Sequence, residues 1–368
     1  MKKTLSLLLA LVLLFALCAC GKQSPAPAAP AQNPAPAQDA PAAAPAAAPA
    51  EEKVEYPKMT IIIAHSAPAD DSRNLGALAI EKYLEEKSGG NIQVDVYPAG
   101  QLGDSISLAE SCQNGSIQIA ILPPANLVNF QPLLGVLDVP YFLPGNLEDA
   151  RKVMDGPAGD ALLETLRDVD LVGLDWWDSQ FKQFSANVTL RSTADFKGLK
   201  FRVMPSDVLL QMIKSLGGSA VTFDYSEVFN GLQTGAIDGQ EASLASIYNM
   251  KFHEVQKYIT ITNHIKSEYT IFGCESWYDS LDDMTKQLLA EAVAEGGKVN
   301  NEEKAKAETD ARAAIEADGC QFVELSAEEI QGLSDAARQD CLDLYLGKNG
   351  EAGAKLVELF NEEIAKLG

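Results

Sequence analysis

Chemistry in this chain centres on an arginine near the end of a short strand. In Gly198, Leu199, Lys200, Phe201, Arg202 and Val203 the apolar residues alternate with two cations, the period of two of a strand buried on one face. Arg202 therefore points away from the core. Its guanidinium offers a planar pair of N–H donors that match a carboxylate through parallel hydrogen bonds, so the chemistry on offer is capture of an organic anion. Ser206 is placed to cap a helix over 207–216 that stops at Gly217 and Gly218. The pattern then repeats, with a strand over 220–223, Ser226 as N-cap, a helix over 227–234 and Gly235 as its stop. Arg202 thus sits where a strand gives way to a helix, the position at which open α/β sheets hold ligands.

Further polar and aromatic candidates lie at similar corners. His65 follows the strand 61–64 and precedes Ser66, Ala67 and Pro68, which places it at a strand end facing a crevice; a histidine bonded to nearby backbone is the equal alternative. At Pro123, Pro124, Ala125, Asn126 the prolines have no N–H to give, so Asn126 is the polar contact nominated there. Trp176 and Trp177 form an aromatic pair just before Lys182; one belongs to the core and the other, taken as Trp177, lines the cleft. Asp224 repels a carboxylate but can accept hydrogen bonds from a hydroxyl or amine; otherwise it caps the next helix. Tyr225 supplies an aromatic wall with one polar tip, suited to a small polar organic molecule.

Signals for catalysis are thin. The three histidines, His65, His253 and His264, have no metal-ligand spacing. There is no glycine-rich phosphate loop and no Gly-x-Ser-x-Gly elbow. Glu227 and Glu241 can be proposed as an acid/base pair, yet abundant carboxylates in an acidic chain identify none. The reading is a binding protein without metal or cofactor, not an enzyme. Cys112, Cys274, Cys320 and Cys341 show no Cys-x-x-Cys spacing; Cys320 and Cys341 can pair in an oxidising compartment, or all four can be buried thiols.

At this point the residues match a family. Residues 199–203, then Tyr225, Ser226, Glu227, Val228 and Phe229, then 232–235, 237–241 and 254–258 with Thr262, Asn263 and His264 resemble, in this order, the solute-binding proteins of TRAP transporters of the DctP type. Tyr97, Pro98, Ala99, Gly100, Gln101, Leu102 and Gly103 extend the likeness upstream, and it fades after about residue 310. The resemblance implies an α/β, two-lobed periplasmic-binding-protein-like fold with a central ligand cleft. It also implies that Arg202 clamps the carboxylate of an organic acid, and that an ion gradient acting on a TRAP-type permease drives uptake. Three departures weaken that chemistry. Lys182 stands where many members carry a second arginine, and a lysine gives a point charge without the planar fork. Ala242 and Ser243 replace asparagine and proline, leaving Ser243 as a weaker polar contact. The usual proline and methionine are missing around Thr222, Phe223 and Asp224.

The elements that must position these residues follow from the rest of the chain. Lys2 and Lys3 precede an apolar run over 5–17, too short to span a bilayer and suited to a secretory signal, residues 1–19. Leu17, Cys18, Ala19, Cys20 and Gly21 resemble a lipobox, in which Cys20 becomes the diacylated first residue; an ordinary signal with two incidental cysteines is the alternative. Residues 20–55 read as a tether, since 21–50 are mostly Ala, Pro, Gln and Ser with eight of the eighteen prolines and can bury no core. The remainder exceeds one hydrophobic core. Lobe I is expected over 56–179 and 268–310, and lobe II over 180–267 and 311–368. A proline-free pattern over 281–317 predicts one long helix linking the lobes, with Gly296 and Gly297 as the place for a bend.

The formal net charge of −23 argues against nucleic acid as partner. It does not exclude an anionic ligand, because at physiological salt distant carboxylates are screened beyond about 8 Å. The sequence thus points to an extracytoplasmic, lipid-anchored receptor for a small organic acid, delivering it to a TRAP-type permease. A ligand-presenting sensory receptor and, further off, a secreted enzyme are the other readings.

Overall fold

The computed structural model describes residues 55–367. The expected signal, Cys20 and nearly all of the tether lie outside the described residues.

Two sheets organise the chain. The first has the order β2-β1-β3-β10-β4, from β1 (Met59–Ala64), β2 (Ile92–Tyr97), β3 (Ile119–Leu122), β4 (Leu171–Phe181) and β10 (Lys266–Cys274). The second has the order β11-β9-β5-β8-β6-β7, from β5 (Gln183–Ala186), β6 (Lys200–Val203), β7 (Ser219–Thr222), β8 (Gly239–Ala242), β9 (Tyr258–Ile261) and β11 (Gln321–Glu324). In each sheet parallel pairs made through helical crossovers meet strands that run the other way. Thus β1 pairs in parallel with β2 and β3, while β10 is antiparallel to β3 and β4. Likewise β6 is parallel to β7 and β8, while β5 is antiparallel to β8 and β9. The architecture is α/β and two-lobed, with one sheet in each lobe. The chain crosses from the first sheet to the second at Lys182 and returns near Ile265. There the Lys182 N–H donates to the Ile265 carbonyl at 2.9 Å, so the two crossing segments are bonded neighbours.

Local sequence explains the elements around the cleft. Met59–Ala64 carries three consecutive isoleucines, with Ile61 and Ile63 fully buried, as β-branched side chains favour. The helix Ser72–Lys87 starts at Asp71, whose carboxylate accepts from the Arg73 N–H at 3.1 Å. Gly235, at φ 73°, ends the helix Val228–Thr234 in the left-handed conformation that glycine adopts without strain. The cap of the turn before that helix differs from expectation. Asp224, not Ser226, is the capping residue, and its Oδ1 accepts from the Ser226 N–H at 3.0 Å and the Ser226 hydroxyl at 2.6 Å.

The long helix runs from Asp283 to Ala317, 35 residues, or about 52 Å at 1.5 Å per residue. Its early turns bury Leu289 and Val293 against the first sheet, and its late turns bury Ala311 and Ile315 against the second lobe's core of Val228, Ile237, Phe252 and Ile259. It thereby links both lobes. The helix runs unbroken through Gly296 and Gly297. These two glycines are the point of closest approach: a Cβ at 296 would lie 2.7 Å from Ile80 and 2.8 Å from the Gly76 carbonyl, and one at 297 would lie 2.7 Å from the Trp177 indole nitrogen.

That packing corrects the aromatic assignment. Trp177 is fully buried between the helices Ser72–Lys87 and Asp283–Ala317 and does not line the cleft. Trp176 is core as well, its indole N–H donating to the Gly159 carbonyl at 3.1 Å. Successive strand residues face opposite sides, and β4 is covered on both.

The last helix, Ala327–Ala365, is broken at Gly350. It packs across segments that precede β4 as well as on the second lobe: Phe360 meets Phe142 edge-on at 5.6 Å, the Tyr345 hydroxyl donates to the Leu133 carbonyl at 3.2 Å, and Cys341 touches the Val208 carbonyl. All four cysteines beyond Cys20 are buried free thiols. Cys320 and Cys341 do not pair, because they sit in separate apolar clusters.

Candidate functional site

A cavity of about 270 Å³ lies between the two sheets. It is slightly smaller than the ~300–1,000 Å³ typical of drug-sized sites, and it suits a small molecule. Its first-lobe wall includes Ser66, Arg73, Asn126, Ser179 and Tyr269; its second-lobe wall includes Lys182, Arg202, Asp224, Tyr225, Glu241 and Ser243.

Arg202 enters from β6, where its neighbours Phe201 and Val203 point into the core. The side chain is 5% exposed. Nε and Nη2 donate to the Phe223 carbonyl at 3.1 and 3.0 Å, which fixes the plane of the guanidinium. No carboxylate of the described residues pairs with it, and Nη1 has no protein acceptor among them. Burial lowers the affinity of this group for its proton; Glu241, Tyr225 and Asp224 oppose that from a distance. A buried, oriented cation without a counter-ion calls for an anion from outside the chain.

Lys182 is in the cavity wall, but its charge is already matched. Its Nζ lies 2.9 Å from Glu241 Oε2 and 3.1 Å from Oε1, and both side chains are buried. Burial alone would raise the Glu241 carboxyl; Lys182 and His264 overcome it and hold the group below the usual carboxylate range. His264 is 3.6 Å from the same carboxylate and stacks on Phe184 with ring centroids 4.2 Å apart. The nominated lysine is therefore half of a buried pair that closes the cavity floor.

On the facing wall stands a cation that the sequence reading passed over. Arg73 is 3% exposed, its Nε pairs with Asp71 at 2.9 Å, and its guanidinium carbon sits 4.4 Å over the Tyr269 ring and 5.9 Å from that of Tyr225. Burial would raise the Asp71 carboxyl, but Arg73 and Lys304 hold it well below the ordinary range. Lys304 comes from the long helix, is 1% exposed, and reaches the Tyr269 hydroxyl at 3.3 Å and Ser246 Oγ at 3.4 Å. These residues escaped notice because each looks ordinary in isolation: Arg73 in a helix's first turn, Lys304 in a charged helix. One signal was available for Lys304. It falls on the stripe Val293, Gly297, Asn300, Lys304, Ala311, Ile315, the helical spacing of a buried face.

The other nominated residues divide. Tyr225 is in place, and its hydroxyl is buried with no protein partner. Asn126 and Asp224 also line the cavity; the Asp224 carboxylate is partly engaged by Ser226. Ser243 reaches the wall, but its hydroxyl caps the helix Leu244–Asn249 and bonds Ser246 Oγ at 3.0 Å. His65 is absent from the wall. It lies fully buried behind Arg73, with Nε2 3.2 Å from Asn74 Oδ1. Burial, and then the nearby Arg73 charge, bring its pKa down to about 4. The strand end does face the crevice, but the side chain turns under the start of the next helix.

With this geometry in view, known proteins offer a comparison. The profile of DctP, bacterial extracellular solute-binding protein family 7, matches residues 63–347, past residue 310, where the likeness legible in the sequence fades. The C4-dicarboxylate-binding periplasmic protein DctP of Rhodobacter capsulatus is 34% identical over 276 residues, covering 74% of this chain and 82% of that protein. The 2,3-diketo-L-gulonate-binding periplasmic protein YiaO of Escherichia coli is 28% identical over 294 residues, 79% of this chain and 88% of its own. Among solved structures, a TRAP periplasmic solute-binding protein from Desulfovibrio salexigens with bound orotic acid superposes with a TM-score of 0.82 at 28% identity, covering 84% of this chain and all of that one.

The buried histidine makes a pH prediction. With its folded pKa near 4 and its unfolded value near 6.5, His65 takes up a proton only on unfolding between those limits. Its contribution to stability is therefore full above about pH 6.5 and is lost as pH falls towards 4. In urea titrations at pH 7 and pH 4.5, a His65→Gln variant should lose about 2 kcal/mol less stability between the two than the wild type does. Equal losses would show that His65 is not held neutral.

Proposed function

The chain belongs to the DctP family of bacterial extracellular solute-binding proteins, and on that premise we propose that it captures a small carboxylic acid between its lobes and hands it to a TRAP-type membrane permease. The observation that carries the reading is Arg202, buried in the cavity wall, oriented by the Phe223 carbonyl and without an anionic partner. The acid's carboxylate supplies that partner by accepting from the free Nη1 side. Relatives whose names record a ligand bind acids: C4-dicarboxylate, 2,3-diketo-L-gulonate and, in the Desulfovibrio protein, orotic acid. The chain acts as a receptor rather than an enzyme and needs no cofactor.

Lobe I is taken as 56–179 with 268–310, and lobe II as 180–267 with 311–368. Closure then swings one against the other about the bonded crossing segments at Lys182 and Ile265. The ligand favours the closed state by touching Arg202 on one lobe and the Arg73 wall on the other, contacts that an open cleft cannot offer together. The lobe surfaces around the cleft would meet the permease. Cys20 carries the lipid that keeps the receptor at the outer face of the membrane, with the Ala/Pro-rich segment as its tether.

Two experiments check these statements. By isothermal titration, Arg202→Gln should weaken binding of every acid that the wild type binds by about a hundredfold, the loss expected for a pair of charged hydrogen bonds; unaltered affinity would remove Arg202 from the site. In cells fed a labelled fatty acid, the wild type should take up label and fractionate with membranes, and Cys20→Ala should do neither. A label that persists in the variant would overturn the anchor.

A further inference from the structure

Three cations line the cavity, Arg73, Lys182 and Arg202, and Lys304 lies buried beside Tyr269. Lys182 is paired with Glu241 and Arg73 with Asp71. Lys304 lies within the field of Asp71 and Glu308, and Glu308 in turn accepts from the Leu244 and Ala245 N–H groups at 2.9 Å each. Of the three cations in the wall, Arg202 alone has no carboxylate of the described residues paired with it, Glu241 and Asp224 acting on it only from further off. The charges around the cavity thus call for one ligand carboxylate. A second would meet Asp104, Asp224 and Glu227, all in the wall.

Arg73 is nevertheless not idle. Asp71 takes its Nε, and the Nη groups have no acceptor among the described residues. The buried Tyr225 hydroxyl beside it is also without a partner. Tyr225 lies two residues beyond Phe223, whose carbonyl anchors Arg202, so this pair of unfilled groups looks across the same small cavity from the carboxylate clamp. A guanidinium whose charge is cancelled still donates hydrogen bonds, but it no longer selects for an anion. The phenol can both give and receive one, which a hydroxyl or keto oxygen answers better than a carboxylate does.

Resting on the carboxylate reading above, we propose that Arg73 and Tyr225 form a charge-neutral second subsite. Together they select a monocarboxylate bearing a hydroxyl or keto oxygen away from its acid group and exclude a diacid. Asp71 is the specificity-determining residue, because it cancels the charge that would otherwise draw a second carboxylate.

The test is to remove that charge and keep its shape. Asparagine at position 71 still caps the helix Ser72–Lys87 about as well as aspartate and can still accept from Arg73. The full chain and its Asp71→Asn, Arg73→Gln and Arg202→Gln variants would be titrated calorimetrically. The probes are two oxygenated monoacids, D-gluconate and D-glucuronate, and two diacids, succinate and glutarate. In the wild type the oxygenated monoacids should bind more tightly. Asp71→Asn should shift the diacid-to-monoacid affinity ratio about tenfold towards diacids, the difference between a neutral and a charged hydrogen-bond partner. Arg73→Gln should weaken the monoacids without raising the diacids. A wild type that prefers diacids, or a ratio left unmoved by Asp71→Asn, overturns the neutral subsite while the role of Arg202 stands. Acids that bind equally well to Arg202→Gln overturn the carboxylate reading itself.

Discussion

A guanidinium carried into the interior with no carboxylate beside it is the constraint around which this molecule is arranged. Taking such a charge out of water is unfavourable by several kcal/mol or more, and the fold offsets that only in part, through two hydrogen bonds from Arg202 to the Phe223 carbonyl. Elsewhere in the cavity the same problem is solved inside the chain, with Glu241 on Lys182 and Asp71 on Arg73. Among the described cations of the cavity wall, Arg202 alone is left without a carboxylate beside it, which is why the proposed ligand is placed there. An overall charge of −23 does not repel that ligand at close range, since the exposed carboxylates are screened by salt and the cavity is not.

Holding a cavity between two sheets requires that the lobes be joined and yet separable. The bonded crossing segments at Lys182 and Ile265 do the first. The long helix adds side chains that act across the gap: Asn301 accepts from the Asp178 N–H near the end of β4, Glu308 caps the second-lobe helix Leu244–Asn249, and Lys304 reaches Tyr269 on one lobe and Ser246 on the other. These are polar contacts of modest individual strength. They act beside an apolar cluster that runs unbroken from Leu122 and Phe142 to Phe184, Phe201 and Phe360, and Lys304 meets Tyr269 and Ser246 where those two residues line the cavity.

Much of this was legible in the sequence, for reasons that differ by residue. Arg202 could be placed because a four-residue strand with apolar alternation leaves one face for the cation. Residues 281–317 read as one long helix because that stretch holds no proline. His65 was misplaced because a strand end shows which residues are near a crevice, not which way each side chain turns, and Trp177 because nearness to Lys182 in sequence does not show which face of β4 it takes once helices cover both sides. Gly296 and Gly297 were read as a weak point because composition cannot show that Trp177 fills the space a Cβ would need. The pairing of Lys182 with Glu241, 59 residues apart, and the meeting of Arg73, Tyr225, Tyr269 and Lys304 depend on tertiary proximity and leave no local trace.

The unmatched charge of Arg202 is best tested in the ligand-free protein. A structural arginine stabilises its fold, whereas one held ready for a ligand does not. In urea denaturation without ligand, Arg202→Met should be as stable as the wild type or more so, because a buried, uncompensated charge is replaced by an apolar chain of similar length. It should also lose the rise in midpoint that a bound acid gives the wild type. A ligand-free variant destabilised by about 3 kcal/mol or more, the loss typical of breaking a buried pair, would contradict the account and make Arg202 part of the scaffold.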